Sequence, residues 1–134
     1  MSTGNSSRSR TPGALAPLLR ITAFTAPGQA VVVRLDGEAA PDRRRRLDAA
    51  LSRMVALRPA RLVVDLAGLA YCDTTSLDAL LGARAAAQAA DVELLLASPT
   101  AQARRLLEST GPEELFTIRD SVLAALGDTP AGTG

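Results

Sequence analysis

Apolar positions along the chain switch between two periods, and the switches mark the elements. Ala30 to Leu35, AVVVRL, is a short Val-rich run, and Leu62 to Leu66, LVVDL, and Val92 to Ala97, VELLLA, are short apolar runs. Runs of this length and composition predict buried strands, the one from Leu62 followed by a turn-like Ala67-Gly68. Leu18 to Thr25 alternates loosely and predicts a first strand. The turn signal Pro27-Gly28 joins it to the next as an antiparallel hairpin. Helical spacing intervenes elsewhere. Leu47, Ala50, Leu51 and Met54 fall at i, i+3, i+4 and i+7, predicting a helix opened by Pro41 and Asp42. It runs to about Leu57, where Arg58-Pro59 stops it. Leu77, Leu80 and Leu81 begin a second helix, from Thr74 to about Ala90, closed by Asp91. Ser98-Pro99 opens a third, with Ala103, Leu106, Leu107 and Thr110 on its inner face and Gly111 at its end. Leu115 to Ile118 predicts a short last strand, and Asp120 caps a final helix from Ser121 to Leu126.

The order is β-β-α-β-α-β-α-β-α. Right-handed β-α-β links that step in one direction leave their helices on one side. The expected class is therefore α/β, with a mixed sheet of four to five strands and helices mainly on one face. One domain is expected over residues 18–126. Residues 1–17, rich in Ser, Thr, Gly, Pro and Arg, read as a disordered N-terminal tail. Residues 127–134 read as a flexible C-terminal tail.

Composition changes this picture only by exclusion. The aromatics are Phe24, Phe116 and Tyr71, so the core must be Leu, Val and Ala, and base-stacking nucleic-acid platforms are absent. The net charge is +1, which does not suggest a phosphate-backbone partner. There is no His, and Cys72 is the single cysteine, so a metal site and an internal disulfide are not expected. No cofactor fingerprint is present. The N-terminus lacks a signal-peptide core and no run reaches a membrane span, so a cytoplasmic protein is expected. The four arginines Arg43 to Arg46 spread around a helix at about 100° per residue and form no single patch.

The candidate chemistry is Asp73-Thr74-Thr75-Ser76, between the strand at Leu62 and the helix at Leu77. Asp, Thr and Ser are ordinary helix caps. The same place also favours an anion or a phosphate, because the first helix amides lack partners and the dipole is positive there. Nothing nearby activates a nucleophile: there is no His, no Lys and no glycine-rich elbow, so an enzyme is not expected.

The run LVVDLAGLAYCDTTSLDALLGA, Leu62 to Ala83, resembles the STAS-domain family of anti-sigma factor antagonists. VVVRLDGE, Val31 to Glu38, and the segment Ala97 to Leu126 fit the same pattern, so the resemblance spans about Leu18 to Leu126. It implies a STAS-like fold and a bacterial switch protein in transcription regulation. By position, Thr75 would be the phosphoacceptor. Glu38, Asp73, Thr74, Thr75 and Ser76 would form the partner-binding surface. The implied partners are an anti-sigma factor that is also a serine/threonine kinase, and a phosphatase that reverses the modification. A monomer or weak dimer is expected. Ser76 stands where the family pattern has glycine, and the acid that usually follows the Gly-Glu turn is missing at Ala39-Ala40. The alternative implied is a STAS interaction module, not phosphorylated, within a signalling or transport assembly.

Overall fold

The computed structural model describes residues 19–39, 41–110 and 115–127. Residues 1–17, most of the expected C-terminal tail and the expected helix stop at Gly111 lie outside them. Ten elements follow in order: β1 (Arg20–Ala26), β2 (Ala30–Ala39), a 3-10 turn (Pro41–Arg43), α1 (Arg44–Ala56), β3 (Arg61–Cys72), α2 (Thr74–Ala90), β4 (Glu93–Ala97), α3 (Ala101–Thr110), β5 (Thr117–Arg119) and α4 (Val122–Leu126). The strands form one sheet in the order β1-β2-β3-β4-β5. β1 runs antiparallel to β2, and the other neighbours are parallel. This is the expected mixed sheet, each strand beside its predecessor.

Period-two alternation divides the sheet's two faces. Val31, Val33, Leu35, Leu62, Val64, Leu66 and Leu96 join the main core with Leu47 and Leu51 of α1, Leu77 and Leu80 of α2, and Ala103 and Leu107 of α3. Val32, Val63, Leu95 and Ala97 point the other way, where Ala125 of α4 meets them. Three helices therefore cover one face and the short α4 covers part of the other. Each fully buried Leu or Val stabilises the fold by roughly 1.5–3 kcal/mol. With almost no aromatics, the core is built from these aliphatic layers. α4 is tethered by Arg61, which is buried: its Nη1 donates to the carbonyls of Ala125 and Leu126 at 3.0 and 2.9 Å, and its Nε to Glu93 at 2.9 Å. The cap of α4 is Ser121, whose Oγ accepts from the Ala124 amide at 3.0 Å, and not the expected Asp120. Asp91 closes α2 as expected, with a left-handed φ of 63°.

The largest departure is in β3. Ala67-Gly68 reads as a turn in the sequence, but the strand runs through it for 12 residues. Its register against β2 slips twice. Arg34 pairs with Asp65, Asp36 with Gly68, and Glu38 with Tyr71, so β3 carries one extra residue at each slip. These are β-bulges, and each shifts the inward phase by one. The positions of β3 in the main core are accordingly Leu62, Val64, Leu66, Leu69 and Cys72.

Charge and glycine hold the bulges. Asp65, buried, accepts from the Ala67 amide at 3.0 Å and from Arg34 Nη1 at 3.4 Å. Arg34 Nε also donates to Asp36 at 3.0 Å. A side chain at residue 68 would begin 1.8 Å from Asp36 Oδ1, so glycine there lets the Asp36 carboxylate lie across the strand. Gly37, at the second slip, takes a φ of 101° that disfavours side chains.

Candidate functional site

The two bulges deliver the end of β3 to the carboxyl edge of the sheet, where open α/β sheets place their sites. Cys72 ends the strand, Asp73 is extended at φ −137° and ψ −167°, and α2 starts at Thr74. Asp73 is the cap. Its Oδ1 accepts from the Thr75 amide at 2.9 Å. Ser76 completes a reciprocal capping box: its Oγ accepts from the Asp73 amide at 3.0 Å and donates to the Asp73 carbonyl at 2.8 Å.

The three hydroxyls are therefore unlike. Thr74 is exposed, Thr75 is half-buried and reaches the surface, and Ser76 is buried at 2% exposure. A direct partner contact by Ser76, expected from the sequence, is incompatible with that burial. Its hydroxyl is spent inside the cap. Ser76 lies on the same face of α2 as the buried Leu80, Ala83 and Ala87, and that spacing in the sequence would have identified it. Replacing Ser76 by glycine is expected to lower stability by about 2 kcal/mol, through the lost cap and glycine's cost within a helix. Urea unfolding of the two chains measures this.

Glu38 comes to the same edge. It pairs with Tyr71 in the β2–β3 ladder, and Ala39 pairs with Cys72, so Glu38 lies beside the strand that leads into the hinge. Glu38 and Asp73 are half-buried, and Tyr71 is 43% exposed. Sequence reasoning missed Tyr71 as part of this surface; its place beside Glu38 follows from the bulges. Asp78, one turn into α2, is exposed and lies 3.9 Å from Arg44 of α1, which also pairs with Asp48 at 2.8 Å. The arginine run does fan apart as expected. Arg43 donates to the Glu38 carbonyl at 3.2 Å, Arg44 turns to the acids just named, and Arg46 donates to the Leu19 carbonyl.

Beneath the hinge, the Cys72 thiol is buried and its pKa is pushed up, chiefly by burial and further by the neighbouring Asp73 charge, with a hydrogen bond to Ser76 acting in the opposite direction. It is a packed core thiol and not a reactive one. Among the described residues no group of three or more His, Cys, Asp or Glu side chains is placed to hold a metal. No described helix is long and apolar enough to cross a membrane. The arrangement offers an acidic and hydroxyl-bearing edge, with Tyr71, Thr74 and Asp78 exposed and Glu38, Asp73 and Thr75 half-buried.

Comparisons with known proteins agree with this architecture. The family model described as Mlab, STAS domain, matches residues 22–119. No curated protein matches the sequence at a significant level. Among solved structures, an anti-sigma factor antagonist from Mycobacterium paratuberculosis superposes with a TM-score of 0.73 at 21% identity, covering 81% of this chain and 92% of that one. The anti-sigma factor antagonist SpoIIAA in its unphosphorylated form gives 0.69 at 17% identity, covering 80% and 93%. The phosphorylated form of the Bacillus cell fate determinant SpoIIAA gives 0.63 at 17% identity, covering 80% and 96%. At such identities the likeness is one of fold. The match over residues 22–119, together with a five-stranded mixed sheet whose central parallel strand ends in a capped hydroxyl hinge, places this chain in the STAS domain family.

Proposed function

We propose that the chain is an anti-sigma factor antagonist. In this reading it binds a partner serine/threonine-kinase anti-sigma factor through the carboxyl edge of the sheet, and phosphorylation of Thr75 switches it off. Glu38, Asp73, Thr74 and Thr75 form the docking surface, and Ser76 holds the cap beneath it. A phosphatase returns the chain to its binding form.

The observation that carries this reading is the position of Thr75. It is half-buried, in the first turn of a 17-residue helix, where the dipole is positive. A phosphate there adds about −1.5 to −2 charges and three acceptor oxygens. The positive end of the helix dipole offsets part of that charge, so the fold tolerates it. Asp73 and Asp78 flank the position, so the new charge is not buried in a cationic pocket. It stays on the surface, where a docking partner meets repulsion and the cost of desolvating a dianion. The switch then needs no change of shape.

Thr75→Ala tests the assignment. The variant is expected to keep the fold and the partner, and to take up no phosphate from the kinase and ATP when the intact mass is measured. Phosphate still arriving on the variant would move the acceptor elsewhere.

A second reading is a STAS interaction module that is never phosphorylated. One observation favours it: Asp73 already occupies the Thr75 amide, which a phosphate on that residue would otherwise use. Phosphate turnover on Thr75 separates the two.

A further inference from the structure

We propose that Gln102 is a positioning residue for the hydroxyl hinge, its side-chain amide standing in for a strand that β3 lacks. β4 pairs with β3 only as far as Asp65, opposite Ala97. β3 continues for seven residues beyond that point, with β2 on one side. On the other side, at the last of those residues, Gln102 reaches across from the first turn of α3. Its Oε1 accepts from the Cys72 amide at 3.1 Å, and its Nε2 donates to the Cys72 carbonyl at 2.8 Å. The same Oε1 lies 3.7 Å from the Cys72 sulfur.

One primary amide thus supplies both the acceptor and the donor that a neighbouring strand would supply. A buried backbone pair left open costs about 1–3 kcal/mol per group, so the clamp has a clear stake in holding Cys72 extended. The next residue is Asp73, whose extended backbone and carboxylate hold the Thr75 amide, and whose amide and carbonyl hold Ser76. Gln102 therefore acts on Thr75 through Cys72 and Asp73. It joins α3 to the hinge, so that a load on α3 is felt at the start of α2. Glutamine fits this task by length and by having both a donor and an acceptor. Methionine has the length and neither group, and glutamate keeps only the acceptor.

Amide hydrogen exchange on the full chain tests the clamp. In Gln102→Met, the Cys72, Thr75 and Ser76 amides are expected to exchange about tenfold faster or more, while Val63 and Leu95 at the sheet centre change less than about twofold. Gln102→Glu should fall between this variant and the wild type. Unchanged hinge exchange would overturn the proposal. So would an equal acceleration across the sheet, which would make Gln102 a general stability contact.

The link to function rests on the reading of Thr75 as phosphoacceptor, and a second arm addresses it. With the cognate kinase and ATP, Gln102→Met should lower the turnover of phosphate transfer several-fold with KM for the chain unchanged. A raised KM at unchanged turnover would make Gln102 a kinase contact and contradict positioning. If the wild-type chain takes no phosphate, the antagonist reading fails, while the exchange comparison still decides the clamp.

Discussion

Thr75→Glu is expected to weaken binding to the anti-sigma factor partner by more than a hundredfold, about 3 kcal/mol, while leaving the fold intact. The loss comes from charge and desolvation at a docked surface. Thr75 stands between Asp73 and Asp78 in the first turn of α2, so a third carboxylate meets like charges on its own chain and must be stripped of water when the partner closes over it. The fold is spared because Thr75 is not fully buried and the helix end is positive. Calorimetric titration against the partner, with circular dichroism of the free variant, checks both halves. A variant that binds like the wild type would remove Thr75 from the interface. An unfolded variant would make the threonine a structural cap residue.

The second large effect is predicted far from the docking edge. Asp65→Ala is expected to cost about 1.5–3 kcal/mol of stability, the range for losing a hydrogen bond to a charged group. Two contacts would be lost: the Ala67 amide at the first bulge and the Arg34 guanidinium. The amide matters more, because Ala67 sits where β3 steps out of register and its amide draws on Asp65 in place of the neighbouring strand. Arg34, by contrast, is 45% exposed in its side chain, and its ion pairs stabilise by less than about 1 kcal/mol. Arg34→Ala should therefore cost much less than Asp65→Ala in chemical denaturation. Equal costs for the two variants would show that the ion pair, and not the bulge amide, is what Asp65 supplies.

Much of the fold was legible from residue types alone. Valine runs at 31–33 and 63–64 can hardly be anything but buried strands, and the Leu47, Leu51 spacing marks α1. The bulges were hidden because Ala67-Gly68 between two apolar runs has the composition of a turn. Only the spacing of inward positions distinguishes the cases: 62, 64, 66, then 69, then 72. A true turn would not keep the phase advancing by three. The cap of α4 was misplaced by one residue because Asp120 and Ser121 are both good caps, and the choice depends on which side chain reaches Ala124. At the hinge, Asp73, Thr74 and Thr75 were identifiable as a helix start, and Glu38 joins them through strand pairing. Ser76 entered the expected partner-binding set through its place in the family motif, and the third helical position faces the core here. Gln102 left no local signal at all: its partner is 30 positions away in sequence, and only the packing of α3 against β3 brings them together.

The most direct measurement compares partner affinity before and after the chain is phosphorylated, with the modified residue identified by fragmentation mass spectrometry. A single phosphate on Thr75 is expected, with affinity reduced by more than about a hundredfold and fully recovered after phosphatase treatment. Phosphate at another residue, or a phosphorylated chain that binds as tightly as the unmodified one, would contradict it.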